Sequence, residues 1–173
     1  MINLGQQEIW DIYDKDKKRT GKTMLRDDWR MKEDEYHLSV LGVVVRPDGR
    51  FLITKRDLSK PWGPGWWEIP GGAVKAGEDS ETAVRREIFE ETGLDVNGCA
   101  GGYQFCYHRE NPVKRDNYFV DIYRFVKDFE EKDVVLQKGE TCGMMLATKE
   151  EIDAFGKQGI FLHYDSIQKV FEL

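Results

Sequence analysis

The sequence predicts an α/β fold of the α+β kind, and three observations carry that expectation. Apolar and β-branched runs at His37–Val45, Phe51–Lys55 and Tyr118–Val126 have the length and punctuation of strands. One helix lies between them, beginning at Asp79 or Ser80 and stopped by Gly93. The chain of 173 residues, 40% of them hydrophobic, suits one domain with a sizeable core.

Residues 1–36 are polar and rich in charge and form an N-terminal extension ahead of a domain over 37–173. Ile9, Trp10, Ile12 and Tyr13 predict a short strand, the run DKDKKRTG a turn, and Lys22–Leu25 a returning strand. Asp14 and Asp16 suggest a calcium loop. Lys18 and Arg19 exclude it, because they stand where such a loop needs an oxygen ligand and a glycine.

His37–Val45 then reads as a central strand, Pro47-Asp48-Gly49 as a turn, and Phe51–Lys55 as its partner. His37, bordering an apolar strand, is expected to be a packed or surface histidine rather than a catalyst. Lys55 and Arg56 end their strand toward the expected site, so Arg56 is a candidate for substrate phosphate. The segment KPWGPGWWEIPGG is a constrained loop. Trp66, Trp67 and Ile69 form a short strand at its end, and Trp62 is a candidate for stacking on substrate.

The helix carries the chemistry. Glu87, Glu90 and Glu91 stand at i, i+3 and i+4, so they share an arc of about 100° on one face. Like charges repel at that spacing. Glu90 and Glu91 also occupy the last turn, where the helix dipole is already negative and each acid costs about 0.3–1 kcal/mol. A divalent cation removes the conflict, because Mg²⁺ takes one or two carboxylates together with waters and phosphate oxygens. Gly71 and Gly72 let the backbone approach such an ion without a Cβ in the way, and the Gly71 carbonyl is a further oxygen ligand. Val84, Ile88 and Leu94 give the helix its buried side. Arg86, four residues before Glu90, is placed to hydrogen-bond a carboxylate.

After the helix, Val96–Tyr107 and Tyr118–Val126 are expected as a pair of long strands joined by HRENPVKRDN. Tyr103, Tyr107, His108 and Arg109 are placed to reach substrate. Thr148, with Glu151 three residues later, caps a following helix. A last amphipathic helix spans His163 to Phe171, with Ile167, Val170 and Phe171 on its apolar side.

Gly72, Glu78, Arg86, Glu87, Ile88, Glu90, Glu91, Gly93 and Leu94 match G-x5-E-x7-R-E-U-x-E-E-x-G-U, with U aliphatic, at nine specified positions over 23 residues. This segment resembles the Nudix box. The resemblance implies a Nudix hydrolase domain over 37–173: a mixed β-sheet sandwiched between helices (α/β/α). It implies hydrolysis of a pyrophosphate bond in a nucleoside diphosphate linked to a moiety X, with Mg²⁺ or Mn²⁺ as cofactor. By the family pattern Glu87, Glu90 and Glu91 bind metal, Arg86 orients a glutamate, and Glu78 braces the loop together with Gly72 and Gly93. Glu87 or Glu140 serves as general base, since in many family members an acid in the region of Glu140 adds a metal ligand or takes that role. The N-terminal extension resembles that of Nudix proteins related to isopentenyl diphosphate isomerase. The isomerase reaction needs a cysteine in the loop before the helix, and IPGGAV has none. A ligand-sensing module without catalysis is the other alternative, though such a module is expected to have lost a metal carboxylate.

The net charge of −6 argues against a nucleic-acid groove and leaves small anionic substrates, because a metal inverts the local charge. No apolar run has the length of a membrane span, and the N-terminus lacks a secretory pattern. Cys99, Cys106 and Cys142 are odd in number and widely spaced, so a reduced, cytoplasmic protein is expected. Cys106 and His108 share a strand face for packing; no second metal-ligand pair accompanies them. A homodimer is expected, with the N-terminal extension as its exchanged or docking element.

Overall fold

His37–Val45 (β3) is apolar on both faces, which suits a strand covered on both sides. The computed structural model, which describes residues 7–172, places it in the middle of a seven-stranded mixed sheet. Tyr118–Val126 (β8) runs parallel to it along its whole length, from His37 opposite Tyr118 to Val45 opposite Val126. Parallel neighbours need a crossover, and this one contains the helix Ser80–Thr92 (α1). Phe51–Arg56 (β4) turns back antiparallel to β3 after the Pro47–Gly49 turn. Trp67–Glu68 (β5) and Thr141–Ala147 (β9) pair with β4, Gly71–Ala73 (β6) with β3, and Ala100–Arg109 (β7) with β8.

Each face of the sheet is covered. Val84, Ile88 and Leu94 pack with Leu38, Val40 and Val44 on one side. Gly42 permits this contact, since a Cβ there would stand 2.6 Å from Val84 Cγ2 and 2.7 Å from Ile88 Cδ1. On the other side Lys149–Lys157 (α2), Tyr164–Ile167 (α3) and a 3₁₀ turn at Gln168–Phe171 bury Val43, Val45, Phe51, Ile53 and Ile122. The expected α/β/α sandwich is therefore present. Thr148 caps α2 with the expected reciprocal box through Glu151.

The elements of the main sheet and its helices depart from expectation at several places. β7 begins at Ala100 rather than Val96, because Asp95 accepts a hydrogen bond from the Asn97 amide at 2.9 Å and turns the chain. The last helix breaks into α3 and the 3₁₀ turn, and His163 lies outside it at φ 60°. Burial of Val170 and Phe171 tightens this segment, and Arg124 holds the carbonyls of Val170 and Glu172 at 3.0 and 2.5 Å. β5 keeps only Trp67 and Glu68, with Trp66 outside it. β9 was hidden in a stretch whose glycine and methionines give no clear alternation.

Ile9–Tyr13 (β1) and Arg19–Leu25 (β2) form a separate two-stranded sheet, with β2 longer than expected. Asp14 closes its turn by accepting from the Asp16 and Lys18 amides at 2.9 and 3.0 Å. The hairpin packs on its own chain: Lys17 pairs with the buried Asp121 of β8, and the Ala76 amide donates to the Ile9 carbonyl at 2.8 Å. Among the described residues no helix is long and apolar enough to cross a membrane.

Candidate active site

The site is built where the glycine strand meets α1. Asp79 caps the helix by accepting from the Thr82 amide at 2.7 Å, and Gly93 ends it in the left-handed region at φ 73°. β6 lies directly over Glu87: a Cβ on Gly72 would stand 2.5 Å from Glu87 Oε1. Gly71 is equally constrained, with a Cβ 2.1 Å from the Val40 carbonyl oxygen. A Gly72→Ala variant should keep the fold but displace the Glu87 carboxylate, lowering turnover by about a hundredfold. Circular dichroism beside steady-state kinetics checks both parts.

Arg86 organises the acids around it. Its Nε and Nη2 donate to the two oxygens of Glu78 at 2.8 Å each, and Nη1 donates to Glu87 at 2.8 Å and Glu90 at 3.4 Å. The Ala73 carbonyl accepts from the same guanidinium at 3.3 Å. Among the described residues Glu91 has no such partner. Burial pushes its carboxyl well above the ordinary range, Glu68 and Glu87 push it further, and a backbone contact with Gly71 opposes them. Burial also raises Glu87 and Glu68, against the opposing pull of Arg86 and Arg56 respectively. Desolvated carboxylates of which Glu87 and Glu68 each have one arginine partner while Glu91 has none are a donor set a divalent cation fits. Glu90, in contrast, is exposed. Among the described residues no three side chains of metal-binding type are gathered closely enough to hold an ion as they stand.

A cavity of about 910 Å³ runs from Gly71, Gly72 and Glu68 to the β7–β8 loop. That volume suits a nucleotide-sized ligand. Arg56, Trp62 and His108 all line it, as do Tyr107 and Arg109. Arg56 is bound at both ends, donating to Glu68 at 2.8 Å and to the Trp62 carbonyl at 3.0 Å, so it also anchors the loop that carries Trp62. Tyr103 is not brought to the cavity. A bulge between Tyr103 and Phe105 reverses the alternation, so Tyr103 stacks edge-on against Tyr123 on the α1 side while Phe105 and Tyr107 face the other way. His37 is packed, stacked on Trp10 at 4.3 Å with Nε2 3.0 Å from Asp116.

Glu140 sits just before β9, where it pairs with Lys60 and adds negative charge to Glu68 and Glu91. Sequence reasoning missed Glu68, Lys60, Trp29 and His163. Glu68 carried a signal, being an acid in a short apolar strand two residues before Pro70. His163 carried none, since it lies beside Arg56 and Arg109 only in the fold. Burial first, then those two arginines, lower its pKa to about 4. The unfolded chain therefore holds the proton more tightly, and stability contributed by neutral His163 should be lost as pH falls from about 6.5 toward about 4. Denaturant midpoints measured over that window should fall with pH in the wild type and fall less in His163→Gln.

The family model of the NUDIX domain matches residues 35–164. An uncharacterized Nudix hydrolase of Listeria monocytogenes is 31% identical over 167 residues, covering 96% of this chain and 95% of that protein. An RNA pyrophosphohydrolase of Caulobacter vibrioides is 46% identical over 59 residues, 34% of this chain and 33% of its own. The fold is similar to the crystal structure of DR0079 from Deinococcus radiodurans, with TM-score 0.70 and 22% identity over 88% of this chain and 91% of that one. The carboxylate row on α1, the glycine strand laid against it and the matching family model agree: the chain belongs to the Nudix hydrolase family.

Proposed function

We propose that the protein hydrolyses a pyrophosphate bond in a nucleoside diphosphate linked to X, releasing a nucleoside monophosphate and phosphoryl-X, with Mg²⁺ or Mn²⁺ as cofactor. The observation that carries this reading is the desolvated pair Glu87 and Glu91 packed behind Gly71 and Gly72, the glycines that line one end of a nucleotide-sized cavity; the carboxylates themselves lie outside its lining. Relatives named as an RNA pyrophosphohydrolase and an 8-oxo-dGTP diphosphatase support the bond type.

Glu87, Glu90, Glu91 and the Gly71 carbonyl would hold the cation. Bound there, it supplies charge neutralisation at phosphate and a more acidic water. Arg86, braced by Glu78, keeps Glu87 and Glu90 pointed along one face, Gly93 ends the helix that carries them, and Gly72 leaves room for the Glu87 carboxylate. Glu87 or Glu140 accepts the proton of the water that attacks phosphorus, while the bridging P–O bond breaks and its electron pair leaves with the departing phosphate. Arg56 binds phosphate oxygens, and Trp62 and His108 contact the base or X. The acidic chain takes this small molecule as its partner, with neither nucleic acid nor membrane, in the cytoplasm, where its three free cysteines stay reduced.

Removal of divalent ions by a chelator should end turnover, and added Mg²⁺ or Mn²⁺ should restore it. Full turnover in chelator would rule out the metal role. The proposal includes a homodimer in which the N-terminal hairpin docks; light scattering that finds only the monomer mass ends that part.

A further inference from the structure

We propose that Asp11 and Arg19, both on the N-terminal hairpin, are positioning residues for the carboxylates of α1, acting through Glu78 and Arg86. The inference rests on the reading of Glu87, Glu90 and Glu91 as metal carboxylates and extends it to residues ahead of the segment the family model matches.

The contacts form an unbroken series. The chain between β6 and α1 makes a sharp turn, with Gly77 at φ 81° and the Glu78 amide donating to the Lys75 carbonyl at 3.0 Å. The hairpin holds three backbone groups of that turn. Asp11 Oδ2 accepts from the Gly77 amide at 2.8 Å, Arg19 Nη2 donates to the Glu78 carbonyl at 2.7 Å, and the Ile9 carbonyl accepts from the Ala76 amide at 2.8 Å. Asp11 and Arg19 also pair with each other at 3.4 Å. Glu78 is thus fixed at its backbone from the hairpin and at both carboxylate oxygens by Arg86. That same guanidinium donates to Glu87 and Glu90. A side chain held this way has little freedom to drift, and outer hydrogen bonds of this kind set ligand orientation.

Two features make the contact more than attachment. Asp11 is largely buried, with its side chain 17% exposed, so its carboxylate is committed to the turn and to Arg19 rather than to solvent. The hairpin also has an anchor elsewhere, Lys17 on Asp121, which holds it to the sheet independently of the turn. Asp11 and Arg19 therefore act on where Glu78 sits rather than on whether the hairpin docks.

The test counts bound Mn²⁺ by electron paramagnetic resonance of the free ion, beside kcat and KM at saturating Mn²⁺, in the full chain. Asp11→Ala should weaken Mn²⁺ binding about tenfold, at the low end for outer-sphere partners, and lower kcat with KM unchanged. Asp11→Asn keeps an oxygen for the Gly77 amide and should recover most of the affinity. Arg19→Gln, at an exposed side chain, should show the same loss to a smaller extent and serves if Asp11→Ala does not fold. Lys22→Ala removes a hairpin contact to Glu35 away from the turn and should bind as wild type. Wild-type affinity in both Asp11→Ala and Arg19→Gln overturns the inference, as does a loss that Asp11→Asn does not restore or that Lys22→Ala reproduces. A wild type that binds no Mn²⁺ removes the metal reading itself, and this inference with it.

Discussion

Glu91→Gln is expected to lose about a thousandfold in kcat/KM, some 4 kcal/mol of transition-state stabilisation, while the metal-free protein becomes more stable. The two effects have opposite signs for one reason. Glu91 is desolvated and crowded by Glu68 and Glu87, and Arg86 reaches Glu78, Glu87 and Glu90 but not Glu91. The neutral amide relieves that repulsion, by about 1 kcal/mol on the scale of isosteric replacement of a buried charge. It also removes an anionic ligand from the proposed cation. Denaturant unfolding in chelator, run beside the kinetics, separates the outcomes. A variant that is both inactive and less stable would mean Glu91 holds the helix rather than a metal.

Arg86→Ala is expected to be damaging on both counts. The guanidinium serves Glu78, Glu87, Glu90 and the Ala73 carbonyl from a largely buried position. Burial raises the Glu78 carboxyl, and Arg86, helped by the Lys75 amide, holds it below the ordinary range; without Arg86 it would be left desolvated with the Lys75 amide at 3.2 Å as its remaining hydrogen-bond donor. Loss of one partner from such a pair costs about 3 kcal/mol or more. Activity should fall by at least about a hundredfold, because Glu87 and Glu90 lose their common donor. Arg86→Lys should rescue little of either loss, since an ammonium cannot span both oxygens of Glu78 while reaching Glu87. The unfolding midpoints of the two variants, together with their kcat values, check this directly; wild-type stability in Arg86→Ala would remove Arg86 from its role as organiser.

Local chemistry was the part of this protein legible in the sequence. Asp79, Gly93 and the Thr148–Glu151 pair are punctuation that acts within a few residues, and each stands where its pattern placed it. Helical periodicity likewise put Arg86, Glu87 and Glu90 on one stretch of the helix, whereas Glu78 lies ahead of the helix and only the resemblance to the family pattern gave it a supporting role. What was not legible depends on events between strands. One extra residue in β7 sends Tyr103 to the wrong face for the cavity, and no property of Gln104 announces it. Glu68 and Lys60 join Arg56 and Glu140 only because β4, β5 and β9 lie side by side. His163 meets two arginines across the end of the sheet, a neighbourhood that exists only in the fold.

The central claim is that the α1 carboxylates hold a divalent cation for pyrophosphate hydrolysis. Phosphorus NMR of products from a panel of nucleoside diphosphate derivatives, with Mg²⁺ or Mn²⁺ and with wild type against Glu90→Gln, tests it most directly. Glu90 is exposed and peripheral to the core, so its amide should leave the fold intact. The account predicts a nucleoside monophosphate and phosphoryl-X from at least one member of the panel in the wild type, with turnover lost in the variant. No turnover of any member, together with saturable binding of one, would contradict it and identify a ligand-sensing module instead.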